Sequence, residues 1–218
     1  MRLCAFDLDH TLVRTPLDLA AMAADMRACL EGAGVRLPAR DERYRVGELL
    51  RWCKREMPAL ESALWTLALD REQQAMDRAT LEAGALAAVT GARRLGFVTA
   101  LWTNNAGAVT RGALERLGLA EHFEIVVTRD EMRELKPDPD GWRVIAGSIS
   151  GTVHGLHGAV RGPHYMVGDS WVDGLAATAA GVPFIAYRML PADLARWKID
   201  PVTTLTDLGA LPDFLADR

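Results

Sequence analysis

FDLDHTL, residues 6–12, ends the first apolar run of the chain with two aspartates, Asp7 and Asp9, separated by one residue. Aspartate is a poor strand former, and like charges at positions i and i+2 of an extended segment point to the same side. Such carboxylates repel each other unless a cation or a shared proton lies between them. The stretch therefore indicates a functional site directly after a short buried strand.

Strands and helices alternate along most of the chain. The expected strands are 3–6, 97–102, 123–128, 165–167 and 183–188. Helix-forming segments of ten or more residues separate them, which is typical of a parallel sheet covered by helices on both faces. The predicted fold class is therefore α/β, with a Rossmann-like parallel sheet core.

Residues 15–80 differ in character, because they are rich in alanine, leucine, methionine, arginine and glutamate and poor in β-branched residues. Leu17, Met22, Met26 and Leu30 fit one face of a helix, and further helices are expected from 43 to 55 and from 60 to 79. The predicted organisation is an α/β core domain, 1–14 and 81–218, with a small all-helical domain, 15–80, inserted after the first strand.

Composition excludes several classes of protein. The chain has 218 residues, of which half are apolar, and a formal charge of −4, which argues against a general binder of nucleic acid or anionic membranes. Three scattered cysteines without a Cys-x-x-Cys pair favour reduced thiols, and no segment has the pattern of a signal peptide or membrane span. A cytoplasmic protein, monomer or homodimer, is expected.

Polar residues follow the predicted strands at the edge where ligands bind in open α/β sheets. They are Asp7, Asp9, Thr103, Asn104, Lys136, Asp169 and Asp173. Carboxylates suit Mg²⁺, which prefers oxygen ligands, whereas a lysine ammonium and a threonine hydroxyl suit a phosphoryl group. This set predicts a magnesium site beside a phosphoryl-binding site.

The order of these motifs resembles a known family. DLDHT, a strand ending in Thr103, Lys136 before a proline, and GDSWVD resemble the four motifs of the haloacid dehalogenase-like hydrolases. The insert resembles the helical cap of the subgroup with phosphoglycolate phosphatases, β-phosphoglucomutases and haloacid dehalogenases. The residue after Asp9 departs from the pattern, because it is His10 where many relatives have glycine.

The resemblance implies a role for each residue. Asp7 is the expected nucleophile, forming an aspartyl-phosphate, and Asp9 the general acid and base. Mg²⁺ is the implied cofactor. Its implied ligands are Asp7, the backbone carbonyl of Asp9 and Asp169, and Asp173 is expected to contact it directly or through another ligand. The implied substrate-binding residues are Thr103, Asn104 and Lys136. The expected function is hydrolysis of a small-molecule phosphomonoester.

Several alternatives stay open for single residues. Thr103 also suits a helix cap, Asp173 a structural role, and His10 a surface position. Arg43, Arg45, Arg51 and Arg55 fit a solvated helix face, or else contact with a substrate carboxylate or second phosphate. The glycine- and histidine-rich segment 148–163, which includes His154 and His157, has no predicted role.

Other functions use similar residues. Haloacid dehalogenases need no acid to protonate a halide, so Asp9 argues against that activity, whereas a phosphomutase stays open. Receiver domains of response regulators lack a helical insert and a late Gly-Asp-x-x-x-Asp motif. A catalytically silent protein that binds phosphate or Mg²⁺ is the alternative outside enzymes.

Overall fold

The structure, a computed structural model, describes residues 1–152 and 162–218, with side chains described for 1–149 and 162–218. The chain divides into two compact units. The first unit consists of Met1–Thr15 and Ala79–Arg218, and the second is Pro16–Arg78.

The described residues form eight strands and nine α-helices. The strands are β1 (Arg2–Phe6), β2 (Val13–Arg14), β3 (Thr80–Leu81), β4 (Phe97–Trp102), β5 (Ile125–Val127), β6 (His164–Gly168), β7 (Phe184–Tyr187) and β8 (Thr203–Leu205). The helices are α1 (Leu19–Gly32), α2 (Val46–Glu56), α3 (Glu61–Met76), α4 (Ala85–Arg94), α5 (Gly107–Arg116), α6 (Asp140–Thr152), α7 (Trp171–Ala180), α8 (Pro191–Trp197) and α9 (Leu211–Ala216).

The first unit contains a six-stranded sheet in the order β5-β4-β1-β6-β7-β8, in which every pair of neighbours is parallel. The α/β, Rossmann-like fold predicted from the sequence is confirmed. β1 lies between β4 and β6. The next strands along the chain, β4 and β5, are added on one side of β1, and β6, β7 and β8 are then added on the other side. This reversal of strand order creates a crevice at the carboxyl end of β1, the usual ligand position in such sheets.

Burial explains why β1 forms the centre of the sheet. Leu3, Cys4, Ala5 and Phe6 are each 1% exposed or less. A strand covered on both faces by helices requires such an uninterrupted apolar run. The apolar run ends at Asp7, so a buried polar side chain follows directly after the end of β1.

A second, two-stranded antiparallel pairing joins β2 and β3. Glu82, which follows β3 and is buried, accepts hydrogen bonds from the guanidinium groups of Arg14 and Arg188. A buried carboxylate needs such partners, and together they lower its pKa against the opposing effect of burial. The pairing ties the two segments of the first unit that flank Pro16–Arg78.

The second unit contains three helices. Met22, Met26 and Leu30 of α1 are buried at a spacing of four residues, as the sequence predicts for one helix face. Leu17, predicted on the same face, lies outside the helix, because Asp18 caps its start. Leu49 and Cys53 of α2 are buried at the same spacing. Within this unit, packing of these apolar faces stabilises helices that would be marginal alone.

The sequence-based assignment missed several short elements and placed one segment wrongly. The strands β2, β3 and β8 have two or three residues and the helix α8 has seven, too few for a periodic signal. Residues 148–152, expected in a loop, extend α6, because Ile149 continues the buried face begun by Ile145. Residues 153–161, with His154 and His157, lie outside the described residues.

Two further findings concern the whole described chain. Cys4, Cys29 and Cys53 are free thiols. Among the described helices, none combines the length and the apolar character that crossing a membrane requires.

Candidate active site

The predicted site residues of the first unit meet at the carboxyl ends of β1, β4 and β6. Asp7 continues the ladder beyond β1, where its N–H donates to the carbonyl of Val167 at 2.9 Å. Thr103 does the same beyond β4, where its N–H donates to the carbonyl of Val127 at 3.0 Å. Backbone pairing to neighbouring strands thus holds both residues at one edge of the sheet.

Lys136 connects this edge to the segment after β5. Its Nζ donates to Asp7 Oδ1 at 2.6 Å, to Asp173 Oδ1 at 2.6 Å and to the carbonyl of Trp102 at 2.8 Å. An ammonium has three protons, so all are used, and the residue is 3% exposed. Burial alone would lower the pKa of Lys136, but the two carboxylates raise it above its ordinary value. Lys136 is therefore a buried cation that bridges Asp7 and Asp173.

A third carboxylate, that of Asp169, lies close to the two that Lys136 bridges. Asp7, Asp169 and Asp173 each place an oxygen within 4.8 Å of the others. Three carboxylates and one ammonium carry a formal charge of −2 when all are ionised. Burial and the nearby Asp173 raise the pKa of Asp7 to about 6, despite Lys136. Burial, Asp173 and Asp7 likewise raise the pKa of Asp169 well above its ordinary value. The group has an unbalanced negative charge.

This donor set fits a hard divalent cation. Mg²⁺ binds oxygen ligands and is usually held by a small number of carboxylates, with water or phosphate oxygens completing its shell. Asp169 also accepts a hydrogen bond from Thr11 Oγ1 at 3.2 Å, which orients its carboxylate. An acidic group of this kind agrees with the predicted cofactor, although binding of Mg²⁺ itself stays a prediction.

Asp173 is held on both sides by the protein. Its Oδ1 accepts from Lys136, and its Oδ2 accepts from the N–H of Ser170 at 3.1 Å and from the Ser170 hydroxyl. Ser170 and Asp173 form the capping box of α7, which satisfies free N–H groups at the start of that helix. The capping role and the bond to Lys136 therefore occur together in one side chain.

The carboxylate of Asp9 has a different partner from that of Asp7. Asn105 Nδ2 donates to Asp9 Oδ2 at 2.6 Å. The side chain of Asp9 is not part of the acidic group Asp7, Asp169 and Asp173. The expectation that the Asp7 and Asp9 side chains point to the same side assumed an extended strand. Because β1 ends at Phe6, strand alternation does not determine where the Asp9 side chain points. His10 follows with φ of 57°, a conformation that favours glycine, and it is exposed.

The polar run Thr103-Asn104-Asn105 has three separate functions in the structure. Thr103 is buried, and its Oγ1 accepts from the N–H of Asn105 at 3.2 Å. Asn104 Oδ1 accepts from the N–H of Lys136 at 2.9 Å, while its Nδ2 donates to the carbonyl of Lys136 at 3.1 Å. The amide of Asn104 thus holds the backbone of Lys136, and its contact with substrate stays a prediction.

Asn105 is the residue that sequence reasoning missed. It is 5% exposed and contacts Asp9 across 96 residues of sequence. Its position in the same polar run after β4 was the available signal, but local sequence does not show which of three polar residues faces which partner.

The arginines considered as substrate ligands lie in the second unit. Arg45 lies within 3.8 Å of Glu42 and 3.9 Å of Glu48, and Arg55 pairs with Glu56 at 2.5 Å. These pairs agree with a solvated helix face, and contact with substrate stays a prediction for all four arginines.

Gly168→Ala is expected to reduce activity by about 10- to 100-fold, a loss typical when groups supporting a metal site are displaced. A Cβ at this position would lie 2.5 Å from Asp173 Cβ and 2.7 Å from its Cγ, closer than atoms approach. The carboxylate that holds Lys136 and Ser170 must therefore move. Phosphatase assays and Mg²⁺ titration of the purified variant test this expectation.

Gly112→Ala is the matched control. Gly112 lies inside α5, and a Cβ there has no atom within 4 Å. Alanine is expected to leave activity unchanged and to raise stability by about 0.5–1 kcal/mol. Equal activity of the two variants would contradict the importance of the Asp173 position.

The raised pKa of Asp7 predicts a pH-dependent stability of the metal-free protein. The folded state retains a proton that the unfolded chain loses near its ordinary value of 3.8, so this contribution to stability disappears as pH rises from about 4 to about 6. A shift of this size corresponds to about 3 kcal/mol. Urea unfolding in EDTA, compared between the natural chain and Asp7→Asn, measures this contribution together with the effect of Asp7 on the pKa of Asp169. The natural chain should lose stability relative to the variant across that pH range, and a constant difference would contradict the prediction.

Comparison with known proteins agrees with this geometry. The model of the haloacid dehalogenase-like hydrolase family matches residues 1–181. A phosphoglycolate phosphatase of Mesorhizobium japonicum is 28% identical over 221 residues, which are 98% of this chain and 94% of that protein. A phosphoglycolate phosphatase of Rhodospirillum rubrum is 29% identical over 227 residues, which are 96% of this chain and 86% of that protein.

A solved structure shows the same fold. The crystal structure of a hydrolase from Pseudomonas syringae matches with a TM-score of 0.69 and 18% sequence identity, covering 99% of this chain and 98% of that one. The predicted enzyme class, a hydrolase related to phosphatases, is confirmed. With a family match across its first 181 residues and the expected sheet, the chain belongs to the haloacid dehalogenase-like hydrolases.

Proposed function

We propose that this chain is a Mg²⁺-dependent phosphatase of small phosphomonoesters that works through an aspartyl-phosphate on Asp7. The observation that carries the proposal is the position of Asp7, at the end of the central strand and hydrogen-bonded to the buried ammonium of Lys136. The curated relatives named above are phosphoglycolate phosphatases, so 2-phosphoglycolate is the first substrate to test.

In the first step, a carboxylate oxygen of Asp7 forms a bond to phosphorus and the P–O bond to the leaving group breaks. Asp9 gives its proton to the leaving oxygen, which receives the electron pair of the broken bond. Lys136 holds one oxygen of Asp7 and so orients the carboxylate for attack. The alcohol is released, and the phosphoryl group stays on Asp7.

In the second step, Asp9 takes a proton from water while the water oxygen forms a bond to phosphorus. The P–O bond to Asp7 breaks, which regenerates the Asp7 carboxylate and releases inorganic phosphate. Asp9 regains in this step the proton it lost in the first, so the cycle balances.

The proposed ligands of Mg²⁺ are Asp7, Asp169 and the backbone carbonyl of Asp9. When bound, Mg²⁺ supplies positive charge that neutralises the acidic group and the phosphoryl oxygens. Both oxygens of Asp173 already accept hydrogen bonds from Lys136 and Ser170, which favours a supporting position behind the ligands. The helical unit Pro16–Arg78 is proposed as the cap that selects the substrate, as its composition and place in the chain predict.

The experiment measures phosphate release from p-nitrophenyl phosphate and 2-phosphoglycolate, with Mg²⁺ and with EDTA. The purified protein is also quenched in acid during turnover and tested for a phosphorylated aspartate that hydroxylamine releases. Mg²⁺-dependent release together with a labelled Asp7 is the expected result. Release that continues in EDTA, or turnover without a phosphoenzyme, would contradict the proposal.

A further inference from the structure

Asn105 is a buried polar residue to which the proposed mechanism gives no task. It is 5% exposed, and its Nδ2 lies 2.6 Å from Asp9 Oδ2. In the structure the NH₂ end of the Asn105 amide faces this oxygen, the orientation that suits a carboxylate acceptor. This hydrogen bond is the contact that fixes the Asp9 carboxyl group from the side of β4.

The backbone of Asn105 is fixed on both sides. Its N–H donates to Thr103 Oγ1 at 3.2 Å, and its carbonyl accepts from the N–H of Arg129 at 3.1 Å. The next residue, Ala106, is the N-cap of α5. Because strand end, turn and helix start are all held, the side chain approaches Asp9 from a rigid support, which is the condition for precise positioning.

We propose that Asn105 positions Asp9 as the general acid by holding Oδ2 in a hydrogen bond, so that the transferable proton is carried by Oδ1. This inference rests on the proposed function. A proton on Oδ2 would point at an NH₂ group that has no acceptor, so the amide disfavours that protonation site. The Oδ1–H bond then breaks as the bond from hydrogen to the leaving oxygen forms. The same Oδ1 takes the proton of water in the second step.

The consequence is a specific dependence on the leaving group. An alkoxide is a poor leaving group and needs the proton, whereas p-nitrophenolate leaves without it. Loss of the amide at position 105 therefore lowers kcat/KM for alkyl phosphates by about 10- to 100-fold, part of the factor that general acid catalysis supplies. For p-nitrophenyl phosphate, kcat/KM changes less than about threefold by the same reasoning.

The experiment measures kcat/KM for a series of aryl and alkyl phosphates whose leaving groups differ in pKa. The variants are Asn105→Ala, Asp9→Asn and the double variant. Asn105→Ala is expected to steepen the dependence on leaving-group pKa, and Asp9→Asn to steepen it further. In the Asp9→Asn background, Asn105→Ala should have no additional effect, since it acts through Asp9.

Folding is checked by thermal unfolding and by Mg²⁺-induced stabilisation of each variant. Asn105→Leu, which has a similar volume but no hydrogen-bond donor, provides the same measurement if the alanine variant does not fold. Its leaving-group dependence should be at least as steep as that of Asn105→Ala.

Two failures are distinguishable. The first failure is that Asp9→Asn shows the leaving-group effect, while the Asn105 variants lower kcat/KM equally for all substrates or have effects that add to that of Asp9→Asn. In that case the positioning role is overturned and the proposed function stands. If Asp9→Asn itself leaves the dependence unchanged, Asp9 is not the general acid and the proposed function fails on that point.

Discussion

Asp7→Asn is expected to reduce phosphate release by about 10⁴-fold or more, a loss typical of removing a catalytic nucleophile. The asparagine amide has the same shape, but it does not form a stable phosphorylated intermediate. Release is measured from p-nitrophenyl phosphate and 2-phosphoglycolate with Mg²⁺, and phosphoenzyme by acid quench.

The same variant should fold well, because it removes one carboxylate from a buried group with excess negative charge. At neutral pH in EDTA it should be at least as stable as the natural chain, for the reason that raises the pKa of Asp7. Stabilisation by added Mg²⁺ should be reduced, since a proposed ligand is lost. Asp200→Asn, at an exposed position, makes the same chemical change away from the site and should leave activity unchanged. Phosphoenzyme formation by Asp7→Asn would show that another residue is the nucleophile.

Lys136→Met is expected to have the second largest effect, on stability as well as on activity. The substitution leaves the carboxylates of Asp7 and Asp173 buried without the ammonium that bridges them. Removing one partner of a buried ion pair typically reduces the free energy of unfolding by about 3–5 kcal/mol. Activity should fall by about 10³-fold or more, because the orientation of Asp7 and the positive charge beside the phosphoryl group are lost together.

Urea unfolding in EDTA measures the first effect, and kcat/KM with Mg²⁺ measures the second. Adding Asp173→Asn to Lys136→Met removes one of the uncompensated charges, so stability should recover in part while activity stays low. Lys198→Met is the control, since that lysine is exposed and a surface substitution typically changes stability by less than about 0.5 kcal/mol. If Lys136→Met were as stable as the natural chain, the bridging ammonium would not be needed to balance the buried carboxylates.

The fold was largely predictable from the sequence, because its signals are local. Five of the six strands of the main sheet were expected from apolar runs between helical segments, and the short edge strand β8 was not. Position alone predicted that Asp7, Thr103 and Asp169 lie near one another, since the carboxyl ends of parallel strands share an edge. Order and spacing of the motifs were enough to predict the family.

What the sequence by itself determined is therefore the kinds of chemical group at the edge of the sheet, through residue type and periodicity. Only the tertiary structure decided their partners: Lys136 with Asp7 across 129 residues, and Asn105 with Asp9 across 96. Whether a hydrogen bond forms depends on differences of a few tenths of an ångström in the donor–acceptor distance and on the direction of each side chain. Those quantities arise when distant segments pack together, and no local pattern specifies them.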